Sequence, residues 1–326
     1  MVSMKVLYIS QTDSGGQGYL LARAMREHLG WDAKSLTMSP TYLDYDYDWL
    51  ATEENKKDIE KFAKDTDFFI MQDRPIEING LEQYMNTKNV CIHGLGSPLR
   101  NQLPLALIHQ LRNELLIVPP AADQTITPNL MASAMFESVI INVDEIDRLT
   151  QGIHQNDELT VCCAVTEKKQ PFIEETKSSI EDLGLKLEIV SGQSWRETIH
   201  AKARAHIILD PPSQYKAPGI NCWEAIYMGS IPVGPYSAWS HSVHPEMEYY
   251  TRSYNDDARD DEPSEGRIHS ALRSAKNETE GKLKLSKETQ KYDTMKKQNW
   301  IRENYSPERV VQRWKWWITW AIHRRD

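Results

Sequence analysis

Residues 216–234 read KAPGINCWEAIYMGSIPVG and follow an apolar run that ends at Leu209 and Asp210 and a Pro211-Pro212 turn. A glycine, Gly219, opens the apolar-periodic stretch, Glu224 lies one and a half helical turns further in, and a Gly-x-x-Pro-Val element starts the next strand. The order is therefore strand, loop, helix, strand. The first N–H groups of a helix have no partner within it, and the helix dipole adds partial positive charge there. The amides of Gly219, Ile220 and Asn221 would thus face anionic oxygens, while Glu224 could accept two hydrogen bonds from adjacent ribose hydroxyls. That set of donors and one carboxylate suits a nucleotide diphosphate.

Working outward, the same alternation runs through the chain. Residues 4–10 (MKVLYIS) form a short β-branched and aromatic run, the loop QTDSGGQG follows, and residues 19–29 place apolar side chains at helical spacing. Further strand-like runs lie at 67–72, 89–93, 114–118 and 138–143, and a second alternating series occupies 159–165, 171–183, 185–190, 195–204, 206–210 and 231–234. Strands alternating with helices imply parallel sheets covered on both faces. A pause at 152–158 (GIHQNDE) marks a hinge, so the expected fold class is α/β with two Rossmann-like domains. The expected boundaries are residues 1–155, residues 156–305, and a closing helix at 306–326 with Ser306 as N-cap and Pro307 in its first position. The cleft between the domains is the expected ligand site.

The chain has 326 residues, of which 40% are hydrophobic and 26% charged, a soluble globular balance spread over enough chain for two cores. No run approaches the roughly 20 apolar residues of a membrane span, and no signal sequence opens the chain, which predicts a cytoplasmic protein. A net charge of −9 argues against nonspecific binding to a polyanion. Cys91, Cys162, Cys163 and Cys222 include no Cys-x-x-Cys pair, so neither a disulfide framework nor a zinc site is indicated.

The 216–234 segment resembles the nucleotide-sugar motif of GT-B glycosyltransferases of the large group 1 (family 4) type. That motif runs from an acid through Gly-Phe-Gly, with seven residues intervening, to a second acid and then Ala-Met-Ala-x-Gly-x-Pro-Val. Gly219, Glu224, Ala225 and Gly229 fall in register, Pro232 and Val233 follow one residue later than in the motif, and Lys216 stands where the family has its first acid. The loop around Gly15 and Gly16 resembles the family's sugar-proximal glycine loop, and residues 93–100 (HGLGSPLR) resemble its His-Gly-Ser-x-Leu-Arg element. In residues 161–169 (VCCAVTEKK) the family's arginine position holds Val165, while the diphosphate-binding lysine matches Lys168 or Lys169.

The resemblance implies a metal-independent, retaining hexosyltransferase-like enzyme, with a nucleotide-diphosphate sugar as substrate and no cofactor. His93 would position the sugar, Glu224 the ribose, and Lys169 and the Gly219 amide the phosphates; Gly15, Gly16, Lys168, Lys216, Ile220 and Asn221 would complete the donor site. A C-terminal helix crossing back to the first domain is also implied. The acceptor is a glycan, a small molecule or modified DNA. Two rivals are a catalytically weakened nucleotide-sugar-binding protein, suggested by Lys216 and Val165, and an enzyme acting on hydroxymethylated nucleic-acid bases, suggested by the lysine-rich stretch 276–297.

Three other features have simpler readings. Asp44, Asp46 and Asp48 form two Asp-x-Asp triplets, a metal pattern of the GT-A fold, yet they lie away from a nucleotide-binding strand end and read as a solvated loop. His241, His244 and Glu246 lack a further ligand at suitable spacing. Trp314, Trp316, Trp317 and Trp320, beside Lys315, Arg324 and Arg325, could press on a membrane interface, but a helix packed on the protein accounts for them better.

Overall fold

A computed structural model describes residues 3–41, 43–72, 80–85, 89–94, 115–118, 135–136, 139–164, 170–211, 218–236, 246–254 and 265–323. In chain order its elements are β1 (Lys5–Ser10), α1 (Gln17–Ala24), β2 (Asp32–Thr37), β3 (Trp49–Leu50), α2 (Lys56–Lys64), β4 (Phe68–Gln72), β5 (Val90–His93), β6 (Leu115–Val118) and β7 (Met135–Phe136). Then come α3 (Val143–Thr150), β8 (Thr160–Ala164), α4 (Gln170–Asp182), β9 (Lys186–Val190), α5 (Trp195–Arg204), β10 (Ile207–Leu209), α6 (Ile220–Tyr227) and β11 (Ile231–Gly234). The chain closes with α7 (Met247–Tyr250), β12 (Arg252–Ser253), α8 (Glu265–Leu283), α9 (Lys287–Tyr305) and α10 (Pro307–His323). It divides into two compact units, Met1–Ile140 with Asn304–Asp326, and Ile141–Glu303.

The first unit is built on a seven-stranded parallel sheet of order β3-β2-β1-β4-β5-β6-β7. Period-two alternation along β1 sends Val6 and Tyr8 into one apolar cluster with Leu21, Met25, Val310 and Trp314, and Leu7 and Ile9 into another with Ile59 and Phe62. One face is therefore covered by α1 and α10, the other by α2. The closing helix starts at Pro307 as its sequence suggests, and Val310, Trp314, Ile318 and Ala321 form its buried stripe.

The second unit carries a five-stranded parallel sheet of order β12-β11-β10-β8-β9. Val161 and Cys163 of β8 face α4 and α8, whereas Cys162 faces α5 and α6 with Ala201 and Ala225. In both sheets the first strand lies inside with later strands added on either side, which puts a crevice outside the carboxyl ends where the order reverses. In the second unit this point lies between β8 and β10.

One local expectation is corrected. Residues 139–142 of the apolar run 138–143 make no strand, and Val143 opens α3. Ile140 and Ile141 are nevertheless buried. The reason is Gln17, whose side-chain amide donates to the Ile140 carbonyl (3.0 Å) and accepts from its N–H (2.7 Å), replacing a neighbouring strand. The lysine-rich stretch 276–297 runs over two helices: α8 stops at Leu283, and Ser286 Oγ accepts from Thr289 N–H at the start of α9.

Candidate functional site

Helix α6 begins at Gly219, whose backbone is extended (φ −83°, ψ −178°), with no side chain capping it and no acid in its first turn. Gly219 is exposed, and a Cβ added there would meet nothing within 4 Å. The result is a helix N-terminus whose dipole no acid or cap among the described residues answers, with room for backbone to approach a ligand. Gly219, Ile220, Asn221 and Glu224 are thus gathered on one and a half turns.

Behind this turn lies a buried charge cluster. Glu224 is 2% exposed and Lys202 of α5 1%. Lys202 Nζ donates to Glu224 Oε2 (2.6 Å) and to Asn221 Oδ1 (2.6 Å), and Trp195 Nε1 donates to Glu224 Oε1 (2.8 Å). The placement of Trp195 and Lys202 follows from α5 itself: Ser194 and Glu197 form a reciprocal capping box that fixes the start of the helix, and positions 195, 199 and 202 fall on its buried face. Each carboxylate oxygen of Glu224 carries one protein hydrogen bond and keeps a second lone-pair site.

In the first unit, His93 ends β5 and is 2% exposed. Its Nδ1 lies 2.9 Å from the Tyr8 hydroxyl, its ring meets the Trp314 indole edge to face at 4.9 Å, and its Nε2 has no hydrogen-bond partner among the described residues. Burial holds the imidazole down to about 3, so it is neutral at ordinary pH. The glycine loop is equally enclosed. The buried Asp13 carboxylate accepts from the N–H groups of Gly18 (2.7 Å) and Tyr19 (3.0 Å), occupying the start of α1 with the protein's own anion. Burial pushes this carboxyl up to about 6, against the opposing pull of those two amides. Gly15 and Gly16 take left-handed backbone (φ 68° and 65°), and a Cβ on Gly16 would lie 2.8 Å from the Tyr45 ring.

Lys168, Lys169 and Lys216 lie outside the described residues, as do Val165, His241, His244, Arg324 and Arg325. Of the Asp-x-Asp triplets, Asp48 turns inward: its Oδ2 accepts from Ser35 N–H (2.8 Å), Ser35 Oγ (3.1 Å) and Arg26 Nη1 (3.0 Å), clamping β2. Among the described residues no three His, Cys, Asp or Glu side chains gather as a metal site, and no helix is long and apolar enough to cross a membrane. In the lysine-rich stretch, Lys276 pairs with Glu280, Lys282 with Glu278, and Lys297 with Asp293, giving mixed charge. Trp316 is exposed beside the partly buried Trp317 and Trp320.

The residues not anticipated from sequence are Lys202, Trp195, Tyr8 and Asp13. A signal existed for the first: a lysine seven residues after Trp195 shares its buried helix face.

No family model and no curated protein sequence matches the chain. Solved structures match it over essentially its whole length. A glycosyltransferase from Rickettsia africae ESF-5 is 12% identical, with 100% of each chain covered and a TM-score of 0.62. The catalytic domain of starch synthase IV from Arabidopsis thaliana, bound to ADP and acarbose, is 9% identical, with 99% of this chain and 100% of that one covered and a TM-score of 0.58. HepE from Anabaena, in complex with UDP, is 11% identical, with 97% of this chain and 100% of that one covered and a TM-score of 0.54. At such identities the likeness is one of fold: this chain has the two parallel-sheet α/β units of GT-B glycosyltransferases.

Proposed function

We propose that the chain is a glycosyltransferase that moves a sugar from a nucleotide-diphosphate sugar to an acceptor, with retention of configuration and without metal. The observation that carries this reading is the start of α6: an open glycine and uncapped amides, with a carboxylate one and a half turns behind, at the switch point of a parallel sheet. The diphosphate takes the amides of Gly219, Ile220 and Asn221, the ribose hydroxyls take the free lone pairs of Glu224, and Lys168, Lys169 and Lys216 meet the remaining phosphate charge. Donors fixed before the reaction stabilise the leaving diphosphate as its charge develops. Complexes with ADP and UDP among proteins of the same fold support the ligand class.

The sugar is assigned to His93. That assignment requires the imidazole, enclosed by Tyr8 and Trp314, to be uncovered on binding. The same enclosure favours a second reading, a protein that binds nucleotide sugars and turns them over weakly or not at all.

A thermal-shift screen with UDP-, GDP-, ADP- and TDP-sugars tests the first part. A true donor at 100 times its dissociation constant stabilises by about 2.7 kcal/mol; no shift with any of them removes the nucleotide-sugar reading. Turnover then separates enzyme from binder. EDTA leaves turnover unchanged on this reading, whereas strict manganese dependence abolished by changing Asp44 and Asp46 would overturn metal independence.

A further inference from the structure

Lys202 is a buried cation placed where a helix least favours one. It contacts Asn221 in the first turn of α6, at the positive end of the helix dipole, and no acid in that turn offsets it. Its counter-charge, Glu224, is buried as well. A buried ion pair adds little stability over well-packed apolar side chains, so its presence calls for a reason other than stability.

The bonding pattern supplies one. An ammonium only donates, so each group that Lys202 touches is turned with its acceptor atom inward. For Asn221 this fixes Oδ1 toward Lys202 and leaves the side-chain NH2 as the outward end, a further donor beside the uncapped amides. For Glu224 the Lys202 and Trp195 bonds hold one oxygen each, which sets the carboxylate plane and leaves one acceptor position on each oxygen. Lys202 thereby sorts the start of α6 into a donor part that suits phosphate and an acceptor part that suits a vicinal diol.

We propose that Lys202, with Trp195, is the positioning group for nucleotide recognition at α6: it orients Glu224 toward the ribose hydroxyls and Asn221 toward the phosphates. The inference rests on the reading of α6 as the nucleotide site and names residues that the sequence motif does not contain.

The test is calorimetric titration of the full chain with UDP and ADP, each beside its 2′,3′-dideoxy counterpart. Wild type should prefer the ribose form by about tenfold, the scale of hydrogen bonds to a charged group. Lys202→Met should lose that preference while keeping its affinity for the dideoxy form within a few-fold. Because this variant leaves Glu224 without its cation and can unfold, Lys202→Met/Glu224→Gln, which buries no lone charge, provides the second measurement and should also bind both forms alike. A folded variant of either kind that keeps the wild-type preference overturns the proposal, as does a wild type without any preference. A wild type that binds no nucleoside diphosphate overturns instead the reading of α6 itself.

Discussion

Among the glycine loops that lead from a strand into a helix, those before α1 and α6 have opposite fates. At α1 the loop is closed: Asp13 fills the first amides, Tyr45 packs over Gly16, and the Tyr8 ring lies 2.5 Å from where a Gly18 side chain would begin. At α6, among the described residues, no side chain caps the helix and nothing stands within 4 Å of a Cβ on Gly219. Glycine before a helix therefore does not identify a ligand site. What separates the two is whether the chain brings its own anion, as it does through Asp13, or leaves the dipole unanswered.

The largest effect should come from the charge behind the open turn. Glu224→Ala leaves Lys202 buried without its counter-ion, so we expect a loss of about 3–5 kcal/mol in urea unfolding. A loss under about 1 kcal/mol would mean that water reaches Lys202 and that the cluster is not the rigid support argued above.

The closed turn predicts a pH signature. Asp13, raised from 3.8 to about 6 in the fold, contributes stability that is fully present below about pH 4 and is lost as pH rises through 6, about 3 kcal/mol in all. His93, lowered from 6.5 to about 3, does the reverse: its contribution is present above 6.5 and is lost as pH falls toward 3. Between pH 4 and 6 the two slopes oppose each other. Asp13→Asn should uncover the His93 slope, a stability falling by about 1.4 kcal/mol per pH unit on acidification from 6 to 4. A variant whose stability changes with pH across that window just as wild type's does would show that Asp13 takes up no extra proton on folding.

Much of this fold is legible in the chain, because its β-branched runs of five or six residues are long enough to declare themselves. The two-residue strands β3 and β12 are not, since their pairing with β2 and β11 is set by tertiary register. The run 138–143 misleads for a related reason: apolar residues announce burial, and Gln17 supplies the hydrogen bonds a strand would otherwise need. At the open turn, Gly219 and Glu224 stand out because their spacing lies within one element. Their support does not, because Lys202 reaches Glu224 from another helix across 22 residues of sequence. The closure of the first loop depends on a left-handed backbone at Asp13 (φ 42°), which spacing alone does not specify.

The smallest effects on stability provide the most direct comparison of the two turns. A Cβ on Gly18 would lie 2.5 and 2.6 Å from two carbons of the Tyr8 ring, and that ring is tied to His93 through its hydroxyl. Gly18→Ala should cost about 1–3 kcal/mol, the range for overpacking a filled core. Gly219→Ala meets no atom and keeps a backbone that any residue adopts, so its cost in unfolding should stay within about 1 kcal/mol, the scale on which alanine is the poorer N-cap. The two turns should then exchange rank when nucleotide binding is measured. A methyl group at Gly219 stands where phosphate oxygens must approach the amides, so UDP or ADP affinity should drop by about tenfold in a protein of wild-type stability. Gly18→Ala, where it remains folded, should leave that affinity unchanged. Equal binding by Gly219→Ala and wild type would show that the open turn is merely uncapped, and the distinction between the two loops would lose its functional meaning.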